Sequence, residues 1–141
     1  MKAVSCGIII RNIDGLILLG QVTGQEVWSI PKGKKEPDET DIQTAIRETI
    51  EECGLACSPE DIRHLGKFSY TKTKDLSLFE LLDRGKALPL SEYKCYSRIA
   101  DSEKFEFSEF AYVSEENLPS FVSPKMLATL TRALEKTREK S

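Results

Sequence analysis

The sequence predicts a mixed α/β sandwich, and three observations carry that prediction. Apolar, β-branched segments recur before, between and after two helical patterns. The first helical pattern, Thr40 to Gly54, is signalled at both ends: Thr40 followed by Gln43 is a capping box, and Gly54 can close the helix in a left-handed conformation. The second opens with Ser123-Pro124, a cap residue followed by proline at the first helical position. No repeat, low-complexity tract or long linker interrupts the 141 residues, a length typical of one domain, so a single domain over 1–141 is expected.

Taken in order, Val4 to Arg11 is apolar and β-branched, Asn12-Ile13-Asp14-Gly15 has turn chemistry, and Leu16 to Gly20 is apolar again, which predicts a hairpin. Trp28-Ser29-Ile30 predicts a short strand stopped by Pro31. Lys32 to Glu39 is too polar for core and predicts a charged loop. In the first helix Ile42, Ala45, Ile46, Thr49, Ile50 and Cys53 recur at helical spacing and predict one buried stripe. Ile62 to Tyr70 and Leu76 to Leu82 predict two further strands separated by Thr71 to Asp75. Asp83 to Glu92 reads as a loop, Tyr93 to Ile99 as a strand, and Phe105 to Phe107 and Phe110 to Val113 as extended chain. Met126 or Leu127, Leu130 and Leu134 give the last helix its apolar face.

Composition excludes several functional classes. Twenty Lys+Arg against twenty-three Asp+Glu argue against a general nucleic-acid binder, whose affinity rests on a basic field. The apolar run Ile8 to Ile10 is cut by Arg11, which leaves no signal-peptide core, and nothing approaches the ~20 apolar residues of a membrane span. Cys6, Cys53, Cys57 and Cys95 have no framework spacing and are expected as free thiols in a reducing, cytoplasmic compartment. His64 is the only histidine, so a Ser-His-Asp triad and a structural zinc site are improbable. An enzyme of this composition would rely on carboxylates and a metal ion.

Glu48, Glu51 and Glu52 stand at i, i+3 and i+4, on one side of the first helix and roughly opposite the Ile42/Ile46/Ile50 stripe. Such neighbours repel unless a cation offsets them, and a hard divalent ion such as Mg²⁺ favours oxygen ligands. Alone, the cluster reads as solvated surface. The wider spacing changes that reading: Gly33, Glu39, Arg47, Glu48, Glu51, Glu52 and Gly54 stand in the register G-x5-E-x7-R-E-x2-E-E-x-G, followed by Leu55.

This segment resembles the Nudix box of the Nudix hydrolases, with Thr49 departing from the aliphatic residue favoured there. The resemblance implies an α/β/α sandwich around a mixed sheet and hydrolysis of a phosphoanhydride in a nucleoside diphosphate linked to another group. It implies Mg²⁺, with Mn²⁺ as an alternative, held by Glu51 and Glu52 with the backbone carbonyl of Lys32 beside them. Glu48 would be a ligand or the general base, Arg47 would orient the carboxylates, and Glu39, Gly33 and Gly54 would support the loop and helix. A further glutamate often precedes an aromatic residue by six positions; Glu106 before Tyr112 fits and is nominated as a ligand or base, with Glu109 and Glu103 as fallbacks.

Substrate choice rests on fewer residues. Tyr70 lies sixteen residues after Gly54, an offset that resembles the diadenosine polyphosphate hydrolases, as does Pro31-Lys32-Gly33 after Trp28. Stacking of Tyr70 on adenine would contribute about 1–3 kcal/mol; an aromatic ending a strand is also a common core residue. Lys32, Lys34, Lys35, Lys72 and Lys74 are candidates to line a polyphosphate. The expected partner is a small nucleotide such as diadenosine tetraphosphate, with no membrane and with nucleic acid only as an RNA 5′ end. ADP-ribose or NADH cleavage and removal of pyrophosphate from an RNA 5′ end are the alternatives within the enzyme class. A non-catalytic Nudix-fold nucleotide sensor is the alternative from another class; such modules commonly lose box carboxylates, and Glu48, Glu51 and Glu52 are all present.

Overall fold

The molecule is assembled on β1 (Ala3–Ile9), whose run Cys6 to Ile9 is buried on both faces. A computed structural model describes residues 2–139; Met1, Lys140 and Ser141 of the expected domain lie outside the described residues. β1 pairs in parallel with β6 (Lys74–Leu81) and antiparallel with the short β4 (Lys32–Lys34), while β5 (Ile62–Thr71) pairs with β6. The result is a mixed sheet ordered β4-β1-β6-β5. A second, antiparallel sheet is ordered β3 (Trp28–Ser29), β2 (Ile17–Val22), β7 (Phe107–Val113).

Two helices complete the layers. α1 (Asp41–Cys53) packs on β1 through a cluster containing Cys6, Ile8, Ile10, Ala45 and Cys53. α2 (Pro124–Glu139) places Met126, Leu130, Ala133 and Leu134 in a second cluster with Ile9, Leu76 and Leu78 of the mixed sheet and Ile17, Leu19 and Val113 of the other. Its first turn is capped as expected, the Ser123 hydroxyl accepting from the Met126 amide at 3.2 Å. The α/β sandwich is therefore present, with two α-helices and two sheets among the described residues. The four cysteines are free thiols, and among the described residues no helix is long and apolar enough to cross a membrane.

Four local expectations are corrected. The predicted hairpin has its turn, closed by Asn12 Oδ1 accepting from the Asp14 and Leu16 amides, but β1 and β2 diverge into different sheets beyond the Arg11–Ile17 bridge. The loop predicted at 32–39 begins with a strand, because β1 offers a free edge to the backbone of Lys32-Gly33-Lys34 whatever its side chains. Tyr93 to Ile99 is not a strand. Its amides instead satisfy the end of α1, Lys94 N–H donating to the Cys53 carbonyl and Tyr96 and Ser97 N–H to that of Glu51.

The fourth correction matters most for function. α1 buries Thr44, Ala45, Glu48, Thr49, Glu52 and Cys53, whereas Ile50 is 42% exposed. Ala45, Thr49 and Cys53 of the predicted stripe are buried, and Ile42 and Ile46 are half-buried. The helix is rotated so that two of its carboxylates face inward.

Candidate functional site

The helix ends set the phase of those carboxylates. Thr40 Oγ1 accepts from the Gln43 amide at 3.3 Å and Gln43 Oε1 accepts from the Thr40 amide at 2.9 Å, so the capping box is complete. Gly54 closes the helix at φ 84°, and its amide donates to Ile50 and Thr49. Between these fixed points Glu48 and Glu52 turn toward β4.

β4 admits them because it contains Gly33. A Cβ on Gly33 would lie 1.9 Å from the carboxyl carbon of Glu48, so any other residue would collide with that side chain. The Glu48 carboxylate is further held by Arg47 Nη1 at 2.8 Å. One turn on, Glu52 is 5% exposed and its Oε1 accepts from the Lys32 amide at 3.0 Å. That contact uses the backbone N–H of Lys32 and so places its peptide beside the Glu52 carboxylate. Glu51 lies at the rim, its carboxylate accepting from Arg47 Nη1 at 3.2 Å.

Arg47 is the hub of the loop. Its Nε and Nη2 grip the two oxygens of Glu39 at 2.6 and 2.8 Å, a bidentate pair, and Nη2 also donates to the Lys34 carbonyl at 3.1 Å. Glu39 accepts in addition from the Glu36 amide and the Thr44 hydroxyl. The Arg47 guanidinium, with the Glu36 amide, pulls the Glu39 carboxyl down to about 2. One guanidinium thus ties the loop, β4 and three glutamates of the box together.

Glu52 has no such ion pair among the described residues; the Lys32 charge acts on it only weakly. Burial pushes its carboxyl up to about 8, opposed by the Lys32 amide and reinforced by the neighbouring Glu106 and Glu48 carboxylates. Burial raises Glu48 as well, against the pull of Arg47. Glu106 arrives from the other sheet, on the residue before β7, with its backbone pinned on both sides: its N–H donates to Ser97 and its carbonyl accepts from Thr23. Glu52, Glu106, Lys32, Ser29 and Phe107 line one small cavity of about 150 Å³. Ser29 and Phe107 were not singled out from the sequence; Phe107 follows Glu106 directly, and no sequence signal marks Ser29.

The remaining candidates lie elsewhere. Glu103 and Glu109 are exposed and do not line this cavity. Lys34 is exposed, Lys35 is paired with Asp41 at 2.9 Å, and Lys72 and Lys74 sit at the β5–β6 turn; of the five lysines only Lys32 borders the cavity. Tyr70 is half-buried and packs against the cluster beneath α2, outside the cavity.

Among the described residues no three His, Cys, Asp or Glu side chains are gathered as a ligand cluster. Glu48 and Glu51 share Arg47 Nη1, at 2.8 and 3.2 Å. The donor set nevertheless fits a hard divalent cation. It is all oxygen, and Glu52 is a buried carboxylate beside further carboxylates with one neutral amide as its hydrogen-bond partner. An arrangement of this kind can hold a cation against an anionic substrate and accept a proton from water.

A family model for the NUDIX domain matches residues 1–128. The asymmetrical bis(5′-nucleosyl)-tetraphosphatase of Sus scrofa is 31% identical over 124 residues, covering 75% of this chain and 84% of that protein. An RNA pyrophosphohydrolase of Halorhodospira halophila is 40% identical over 60 residues, 43% of this chain and 32% of that protein. The structure of the MutT protein of Methanosarcina mazei Go1 superposes with a TM-score of 0.70 at 23% identity, covering 99% of this chain and 96% of that one. The chain spans between about a third and three fifths of the length of several curated relatives it matches.

Proposed function

The chain belongs to the Nudix family, and from that premise we propose that it is a Mg²⁺-dependent hydrolase of phosphoanhydride bonds in nucleoside diphosphate derivatives, with diadenosine polyphosphates as preferred substrates. The observation that carries this reading is the buried Glu52 carboxylate, without an ion-pair partner among the described residues, facing Glu106 and Lys32 around one cavity.

Glu48, Glu51, Glu52 and Glu106, with the Lys32 backbone, would hold the ion, which when bound neutralises phosphate oxygens and acidifies water. Everything else falls to the chain. Arg47 fixes the carboxylates through Glu39 and the Lys34 carbonyl, so that reorganisation during the reaction is small. Of the two candidate bases, Glu48 is engaged by Arg47, whereas the Glu106 carboxylate has no cation partner among the described residues. We assign the proton-accepting role to Glu106, which leaves Glu48 as ligand. Lys32, beside the cavity, would meet the phosphates, and Lys34, Lys35, Lys72 and Lys74 would meet a longer polyphosphate only beyond it. The adenine-stacking role of Tyr70 stays part of the proposal; its packing against the α2 cluster supports a core contribution as well.

The diadenosine preference draws on the tetraphosphatase relative, and the RNA pyrophosphohydrolase relative supports a second reading, action on an RNA 5′ end. A product screen with Mg²⁺ on diadenosine tetraphosphate, ADP-ribose, NADH and a 5′-triphosphate RNA separates them, with Glu52→Gln as the blank. ATP plus AMP from the tetraphosphate, formed fastest, is the expected result. Faster release of AMP from ADP-ribose or NADH, or of pyrophosphate from RNA, would overturn the preference. Nucleotide binding without turnover would replace the hydrolase by a sensor.

A further inference from the structure

A second cavity, of about 280 Å³, opens where the turn after β1, the end of β6 and the last turn of α2 converge. It shares no residue with the cavity at Glu52. Four arginines line it, Arg11, Arg63, Arg84 and Arg138, with Glu80 the one lining carboxylate among the described residues. That density of guanidinium stands out in a chain whose formal net charge is −3.

The pairing inside the cavity is incomplete. Arg63 is joined to Glu80 through Nη2, but its Nε is buried with no acceptor. Arg11 donates to Glu115 at 2.9 Å and to the Gly15 carbonyl at 3.2 Å, and Arg138 shares the same Glu115. Arg84 lies over the Gly15 turn, its Nη1 3.6 Å from where a Cβ on Gly15 would be, and meets no acceptor among the described residues. Arg63 Nε and the Arg84 guanidinium are the unmatched donors that border the cavity among the described residues. A buried N–H without an acceptor is costly unless a ligand supplies one, and guanidinium forks match phosphate oxygens in geometry and charge.

We propose that this cavity binds a phosphate dianion, either inorganic phosphate or the terminal group of a phosphomonoester. Arg63 Nε and the Arg84 guanidinium provide the unused donors, and a phosphate supplies the acceptor oxygens and negative charge they lack. The volume lies just below the roughly 300–1,000 Å³ of small-molecule pockets, which suits a phosphate with at most part of an attached group inside. The site is independent of the hydrolase reading, because its residues belong neither to the box nor to the Glu106 segment.

The test is calorimetric titration of the protein in EDTA with inorganic phosphate and, separately, with AMP, alongside the Arg63 Nε–H resonance in a ¹⁵N spectrum. Saturable binding that shifts this resonance is expected, weakened about tenfold or more in Arg84→Ala. Lys125→Ala, which removes one exposed positive charge away from the cavity, should leave it unchanged. Tighter binding of AMP than of phosphate would assign the phosphomonoester, and equal binding would assign the free ion. The proposal is overturned if neither anion binds at millimolar concentration, if Arg84→Ala and Lys125→Ala weaken binding alike, or if Glu52→Gln abolishes it.

Discussion

The two helices pack against the mixed sheet in opposite ways. α2 buries an ordinary apolar stripe, with Met126, Leu130, Ala133 and Leu134 at 2% exposure or less. α1 buries Thr44, Glu48, Thr49 and Glu52 beside Ala45 and Cys53, and leaves Ile50 to solvent. An amphipathic helix gains most by turning its apolar stripe inward. α1 forgoes part of that gain and places two carboxylates where burial penalises their charge. The contrast separates a helix that contributes stability from one that holds a charge set in place, at a cost to the fold.

Substitutions can break that contrast. The largest effect is expected from Glu52→Gln, which keeps shape and can still accept from the Lys32 amide but removes the charge. Turnover on the best substrate of the Mg²⁺ screen should fall about 10²–10⁴-fold, the range for a lost acid–base or ligand group, with an unchanged circular dichroism spectrum. Activity within a few-fold of wild type would show that the buried carboxylate is not the reactive centre. Leu130→Ala on α2 should behave inversely. Denaturant unfolding should show a loss of about 2–5 kcal/mol, with turnover per folded molecule preserved.

Gly33→Ala sharpens the link between β4 and α1. The added methyl would meet the Glu48 carboxyl group at 1.9 Å, forcing it off Arg47. Overpacking of this kind costs about 1–3 kcal/mol, and loss of activity should exceed what the stability change explains. The smallest effect should be a gain. Thr49 Oγ1 is buried with no hydrogen-bond partner, so Thr49→Val, which replaces a hydroxyl by a methyl of similar shape, should stabilise by about 1 kcal/mol in chemical denaturation and leave turnover within a few-fold.

The sequence made α2 legible almost completely and α1 only in part, for a physical reason. Caps are local, so Thr40, Gln43, Gly54 and Ser123 announce the ends of both helices. Which face a helix buries is a tertiary matter. Periodicity weights Ile50 as core and Glu52 as surface, and only the collision-free glycine on β4 and the Lys32 amide reverse them. Backbone-driven pairing is equally silent: Lys32-Gly33-Lys34 has no strand pattern but completes the edge of β1, while Tyr93 to Ile99, which reads as a strand, serves the carbonyls of α1. The box spacing identified the glutamates of α1, and Glu106 was reachable only through its distance from Tyr112.

The most direct measurement is the thermal midpoint of wild type and Glu52→Gln, each in EDTA and in Mg²⁺. If α1 keeps a buried charge for a cation, Glu52→Gln should be at least as stable as wild type in EDTA, since it buries no charge. Mg²⁺ should then raise wild type by mass action and leave the variant nearly unmoved, so that the order reverses. A variant less stable than wild type in EDTA, with Mg²⁺ raising both equally, would contradict the account and make Glu52 a structural residue.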